Sequence, residues 1–232
     1  MIHFVLLTGG TGSRMKSDVP KQFMELRGVP VMEFSLRAFC GLPEHLRGGL
    51  VLVSHPDLIS RAESISANYR PHLSFVHIVN GGATRHVSSK NGLSALKQEL
   101  TEEDIVLIHD GARPLVTPQE MLRLAARLEE NKMAACATLA APATETLAVA
   151  PSMDGEIQNV PDRSTLFAIK TPQAIQGKYV GRFLASPGDH YTDLISWCLD
   201  EKLGAIMAPA SESNIKLTHP GDLPMLESLL DR

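Results

Sequence analysis

The first apolar run of the chain, residues 3–8 (HFVLLT), leads straight into GGTGSRM at residues 9–15, with Pro20-Lys21-Gln22 close behind. A short strand, apolar on both faces and ending in a glycine-rich turn, fits the opening of a parallel α/β sheet, where ligands bind outside the carboxyl ends of strands. Similar β-rich runs recur at 50–54, 74–79, 105–109 and 134–139, each ending at Gly, Pro, Ser or Asp. Between them, residues 31–39, 58–68, 84–96 and 118–128 space their apolar side chains at the helical period, with Pro118 suited to a first helical position. Strand and helix alternate, which predicts an α/β fold with a mainly parallel central sheet and helices on both faces.

The alternation breaks between about 141 and 169. There, 144–150 and 156–160 flank Ser152-Met153-Asp154-Gly155 with no helix-length segment between them, which predicts a protruding β-hairpin arm. Beyond Pro172 the pattern resumes, with helices predicted at 176–185, 192–202 and 220–230 and a strand at 205–209. No linker-like stretch and no internal repeat divides the chain, so residues 1–232 read as one domain with 141–169 as an excursion.

Composition narrows the function classes. With 22 Lys+Arg against 26 Asp+Glu the formal net charge is −4, so no basic surplus favours a nucleic-acid partner. Cys40, Cys136 and Cys198 form no C-x-x-C pair, which suits a reducing compartment and offers no zinc site. The opening MIHFVLLTGG lacks the basic region and long apolar core of a signal peptide, and no apolar run reaches the roughly 18 residues of a membrane span. The expectation is a soluble cytoplasmic protein. G-x-S-x-G and H-E-x-x-H are both absent, which removes the main support for acyl-transfer hydrolases and zinc enzymes.

Five clusters carry the chemistry. The first, Thr8-Gly9-Gly10-Thr11-Gly12-Ser13 with Arg14 and Lys21, joins backbone donors to two cations, a combination suited to a triphosphate. It is not a P-loop, and Met15 stands where the dinucleotide fingerprint needs its third glycine. The second is Gly81-Gly82-Ala83-Thr84-Arg85 with Ser88, where Thr84 can cap a helix. The third is His109-Asp110-Gly111-Ala112-Arg113-Pro114. Asp110 stands where acidic residues hold Mg²⁺ or a ribose hydroxyl, Arg113 can pair with a phosphate or with Asp110, and His109 reads as a satisfied core histidine. The fourth joins Thr144-Glu145-Thr146 to Asp162-Arg163-Ser164, and the fifth is Asn214-Ile215-Lys216. Arg14, Lys21, Arg163 and Lys216 together suggest a polyanion site.

The motifs GGTGSRM, PKQ, HDGARP, Lys170-Thr171-Pro172-Gln173 and Asn214-Ile215-Lys216, in this order, resemble the 2-C-methyl-D-erythritol 4-phosphate cytidylyltransferase family, with ribitol 5-phosphate cytidylyltransferases close by. The resemblance implies a Rossmann-like nucleotidyltransferase fold and transfer of CMP from CTP to 2-C-methyl-D-erythritol 4-phosphate, releasing pyrophosphate, with Mg²⁺ or another divalent cation. The alternatives are ribitol 5-phosphate or a related polyol or sugar phosphate as acceptor and, more remotely, a nucleotide-binding module without catalysis. By the same resemblance Arg14, Lys21 and Lys216 act on the phosphates. Thr8, Gly9, Gly10, Thr11, Gly12, Ser13, Gly81, Gly82, Ser88, Asp110 and Ala112 bind the nucleotide. Asp110, Arg113, Thr146 and Arg163 meet the acceptor, the last two from an arm that reaches into a partner subunit, which implies a homodimer. Magnesium would be held mainly by the CTP phosphates, with Asp110 as a candidate ligand. The chain departs from the family at Glu145, at Thr192-Asp193-Leu194-Ile195 and at residues 210–213, all away from the triphosphate loop.

Overall fold

The computed structural model describes residues 1–10, 19–187 and 190–230. Seven strands form one sheet: β1 (Ile2–Thr8), β4 (Arg47–Ser54), β5 (Val76–Asn80), β6 (Ile105–Asp110), β7 (Ala134–Pro142), β8 (Phe167–Gln176) and β9 (Gly204–Pro209). A two-residue turn at Arg27-Gly28, both with positive φ, joins the short strands β2 (Glu25–Leu26) and β3 (Val29–Pro30) into a separate hairpin that the sequence reading did not include. The large sheet runs β5-β4-β1-β6-β8-β7-β9, with β1 parallel to both β4 and β6.

Both faces of the sheet are covered. Along β1, Phe4 and Leu6 face one cluster with Met32, Leu36 and Phe39 of α1 (Val31–Cys40), Ala62 of α2 (Ile59–Ser66) and Leu124 and Leu128 of α4 (Pro118–Glu130). Val5 faces the other, with Leu93 and Leu96 of α3 (Arg85–Leu96), Phe183 of α5 (Gly177–Ala185) and Trp197 of α6 (Leu194–Asp200). This two-sided burial is why the strands read as apolar runs without alternation. A smaller cluster sets Leu226 of α7 (Asp222–Leu229) against Leu26, Ala112 and Leu217. No helix among the described residues is long and apolar enough to cross a membrane.

Helix starts follow local chemistry. Thr117 and Glu120 form a reciprocal capping box ahead of Pro118, Thr84 caps α3, and Asp193 with Ser196 caps α6. The α2 segment is shorter than the predicted 58–68, because 3₁₀ turns flank it at Pro56–Leu58 and Ala67–His72. The last two helices are also shorter than 192–202 and 220–230: α6 starts after its Asp193 cap and α7 starts at Asp222.

Two expectations need correction. Residues 167–176 are a strand, β8, antiparallel to both β6 and β7, where the sequence pattern put 167–169 in the arm, gave 170–175 no element and began a helix at 176. Pro172 lies where the β7–β8 register shifts, so its missing N–H costs no regular ladder bond. The arm is also not two regular strands. Its foot continues the β7–β8 ladder to Pro142 and Phe167, and beyond that a single bridge joins Val149 to Asn159, with the Ser152–Gly155 turn closed by Gly155 N–H to Ser152 O. Leu147, Val149, Met153, Ile157 and Val160 are exposed there, and a two-stranded ribbon with nothing packed on it has little to hold it regular.

Gly92 of α3 shows how tightly the helix lies on the sheet. A Cβ added there would stand 2.5 Å from Val5 Cγ1 and 2.9 Å from Val53 Cγ2. Gly92→Ala should gain about 1 kcal/mol of helix propensity and lose roughly 1–3 kcal/mol to overpacking. The expected result in urea unfolding is a net loss of stability, and a gain would show that α3 can lift from the sheet.

Candidate active site

In the order β5-β4-β1-β6, the chain builds outward from β1 on one side and then returns to its other side. Crevices of open α/β sheets lie at such switch points, at the carboxyl ends of the strands. A cleft of about 520 Å³ sits there, lined by Gly9, Gly10, Lys21, Gly82, Arg85, Asp110, Lys216 and others. Among the described residues that line it are three cations, Lys21, Arg85 and Lys216, and one carboxylate, Asp110. The cleft is therefore cationic in a chain whose net charge is −4.

Lys21 opens a 3₁₀ turn, Lys21–Phe23, seated by two buried side chains. Phe23 is in the core, and Gln22 Nε2 donates to Thr8 O and Gly10 O, which ties the Lys21 turn to the foot of the glycine loop. On the facing side Gly81 N–H donates to Ser54 O, and Gly82 N–H donates to Ser88 Oγ at 3.0 Å. A Cβ at Gly82 would lie 2.2 Å from Val87 Cγ1, so only glycine lets this turn lie against α3.

Asp110 ends β6 between two cations. Arg85 Nε donates to Oδ1 at 3.0 Å and Lys216 Nζ to Oδ2 at 2.7 Å. Burial by itself would push this carboxyl up, but Arg85 and Lys216 together outweigh it and hold Asp110 well below the ordinary carboxylate range. His109, beside it, is locked. Nε2 faces Arg113 O at 3.0 Å, and a carbonyl can only accept, so Nε2 carries the proton. Nδ1 then accepts from Thr171 Oγ1, which itself accepts the Asp110 N–H. Burial lowers the His109 pKa to about 4, so the ring is neutral and structural, as expected.

A family model described as 2-C-methyl-D-erythritol 4-phosphate cytidylyltransferase matches residues 2–232. The chain belongs to the 2-C-methyl-D-erythritol 4-phosphate cytidylyltransferase family. Relatives carrying that name include one from Leptospira borgpetersenii, 37% identical over 99% of this chain and 94% of its own. Another, from Leptospira interrogans, is 38% identical over 97% of this chain and 91% of its own. A solved 4-diphosphocytidyl-2C-methyl-D-erythritol synthase superposes with a TM-score of 0.78 at 28% identity, covering 99% of this chain and 98% of the other. The synthase from Anaerococcus prevotii shares the fold, with a TM-score of 0.77 at 24% identity over 100% and 98% of the two chains.

For a cytidylyltransferase of this family the cleft gathers eight of the residues singled out in the sequence. Gly9, Gly10, Lys21, Gly82, Ser88, Asp110, Ala112 and Lys216 line it, while Thr8 and Gly81 stand just behind, bonded to Val53 O and Ser54 O. Thr11, Gly12, Ser13 and Arg14 lie outside the described residues. Thr146 and Arg163 are exposed on the arm and line no part of this chain's own cleft. The Arg113 side chain does not pair with the Asp110 carboxylate. The turn that puts its N–H on Asp110 O carries its guanidinium to Asn214 O at 3.1 Å. Arg85 holds Asp110 instead, a role that sequence reading missed. The signal was its place immediately after the Thr84 cap, where a first-turn side chain reaches the carboxyl edge of the sheet.

Titration of His109 gives a prediction with a definite sign. Its folded pKa, about 4, is below the ordinary 6.5, so protonation favours the unfolded chain. The contribution is complete above about pH 6.5 and is lost as pH falls towards 4. Between pH 7.5 and 5 the wild type should lose on the order of 2 kcal/mol from this group. His109→Gln should shrink that difference in urea unfolding, and an unchanged difference would reassign it to other groups.

Proposed function

We propose that this protein transfers CMP from CTP to 2-C-methyl-D-erythritol 4-phosphate, giving 4-diphosphocytidyl-2-C-methyl-D-erythritol and pyrophosphate, a step in isoprenoid precursor synthesis. The observation that carries the reading is the cationic cleft at the switch point, with Lys21, Arg85 and Lys216 around the glycine turns. An acceptor phosphate oxygen attacks the α-phosphorus, the bond to the bridging oxygen of the β-phosphate breaks, and pyrophosphate leaves with the electron pair. The nucleophile is already an anion, so no protein base has to remove a proton. What remains is to hold the reactants in line and to offset the growing charge.

The side chains suit those tasks. Backbone N–H groups at Gly9 and Gly10 can approach the nucleotide closely, while Lys21 and Lys216 meet the phosphates, joined by Arg14 as the family resemblance implies. Asp110 fixes Arg85 and Lys216 before the nucleotide arrives, so little reorganisation is needed during transfer. Among the described residues no group of three His, Cys, Asp or Glu could hold a metal. The donor set fits a divalent ion carried on phosphate oxygens, with one further lone pair available at Asp110. Bound there, Mg²⁺ would neutralise phosphate charge and polarise the α-phosphorus.

The exposed apolar arm, with Leu147, Val149, Ile157 and Val160, supports a homodimer in which Thr146 and Arg163 complete the partner's acceptor site. The three free thiols, Cys40, Cys136 and Cys198, support a reducing cytoplasmic location.

Pyrophosphate release from CTP and Mg²⁺, with 2-C-methyl-D-erythritol 4-phosphate and ribitol 5-phosphate run in parallel, tests the function. The first acceptor should be preferred, and silence with it beside an active control would refute the reading. Lys21→Ala and Lys216→Ala should each lower kcat about 100-fold while changing CTP affinity much less. Arg163→Ala should raise KM for the acceptor and leave that for CTP unchanged, and a change confined to CTP would remove Arg163 from the acceptor site.

A further inference from the structure

Glu120 lies on α4, which contributes no residue to the cleft lining, yet its side chain is only 2% exposed. A carboxylate is seldom buried so far unless its oxygens are engaged. Oε2 accepts from Thr117 N–H at 2.9 Å and from Thr117 Oγ1 at 3.3 Å, completing the cap of α4. An exposed glutamate would serve that purpose equally well. The reason for burial is the other oxygen, which accepts from Ser211 N–H at 2.7 Å and faces Asn214 Nδ2 at 3.4 Å.

Those two contacts fix a stretch with no regular structure between β9 and α7. Asn214, fully buried, also donates from Nδ2 to Thr171 O at 3.0 Å, and its own carbonyl accepts from Arg113 Nη1. Three residues on, Leu217 N–H donates to Ala112 O at 2.8 Å. Lys216 therefore stands between two anchors, with Nζ at 2.7 Å from Asp110 Oδ2. Lys170 Nζ donates to Ser211 O at 3.1 Å, which places a cation close to the buried carboxylate.

We propose that Glu120 is a positioning residue for the transfer reaction: through Ser211 and Asn214 its buried carboxylate sets the backbone that holds Lys216 at Asp110. This rests on Lys216 being a phosphate-binding cation, as argued above. A positioning role through Lys216 has a consequence that a purely structural role lacks. Removing it should slow turnover only while Lys216 is present, since displacement of a charged group by about 1 Å can cost two orders of magnitude.

Two substitutions separate the two oxygens. Glu120→Asp keeps an acid in the first turn of α4 beside Thr117, but is one methylene too short to serve Ser211 and Asn214 as well. Thr117→Ala removes the hydroxyl cap and leaves the Ser211 and Asn214 contacts. With CTP and the methylerythritol acceptor, Glu120→Asp should lower kcat at least about tenfold with a smaller change in KM for CTP. In the Lys216→Ala background the same change should cost less than about twofold. Thr117→Ala should lower the melting temperature and leave kcat of the folded enzyme unchanged. Hydrogen exchange should quicken at 211–217 in Glu120→Asp and not in Thr117→Ala. Additive losses in the double variant, wild-type kcat in Glu120→Asp, or unaltered exchange at 211–217 would each overturn the proposal. Wild-type kcat in Lys216→Ala would instead overturn the reading of the site, and the exchange data tell that failure from a failure of the Glu120 anchor.

Discussion

The Asp110 carboxylate, gripped by Arg85 and Lys216, is the interaction on which the geometry of the cleft depends. It joins three segments distant in sequence: the end of β6, the first turn of α3 and the irregular stretch before α7. A single buried anion between two cations at 3.0 and 2.7 Å is satisfied only when all three segments are in place. Loss of either cation would leave the buried carboxylate with one partner in place of two, and loss of Asp110 would leave two cations with no anion between them. The same cluster keeps two cationic groups apart and aimed into the cleft, where they would otherwise repel. Fold stability and readiness for a polyphosphate are thus set by one group.

The half of the sheet that builds the cleft was legible because its strands are buried on both faces. β1, β4 and β6 carry the apolar runs 4–7, 50–53 and 105–108 and end at Thr8, Ser54 and Asp110, of which Asp110 lines the cleft. β8 was not legible, and the reason is local. Lys170, Thr171 and Gln173 are polar, and Pro172 interrupts the strand signal, yet each has a use in the fold. Thr171 accepts the Asp110 N–H, Gln173 Oε1 accepts from Leu194 N–H, and Pro172 falls at the irregular step of the ladder. A strand whose polar side chains serve neighbouring elements does not advertise itself by periodicity. The arm shows the opposite case, since 144–150 and 156–160 read as strands on either side of a turn while only Val149 and Asn159 pair there. Pattern alone does not make a ladder where nothing covers the apolar side.

Site residues divided along the same line. Those on glycine turns and in HDGARP announced themselves through backbone chemistry, and their positions at strand ends followed. Pairings between distant segments did not, because nothing in single-sequence spacing says whether Asp110 meets Arg113, three residues on, or Arg85 and Lys216. The tight turn at 111–113 decides it. By sending the Arg113 guanidinium to Asn214, it clears the Asp110 oxygens for the two cations that face the cleft.

The protonation states describe the kind of catalyst such a cleft can be. Arg85 and Lys216 hold Asp110 well below the ordinary carboxylate range, which makes it a poor base. His109 has both nitrogens engaged and is neutral. A reaction needing a proton abstracted at neutral pH would find no suitable acceptor in these groups. Transfer to a phosphate monoester needs none, since the attacking oxygen is charged beforehand and the leaving pyrophosphate is stabilised as an anion. Fixed positive charge and fixed backbone donors are what that reaction draws on. The buried network behind Lys216 then has a physical reason to exist, because a catalyst that works by charge alone depends on how firmly each charge is placed.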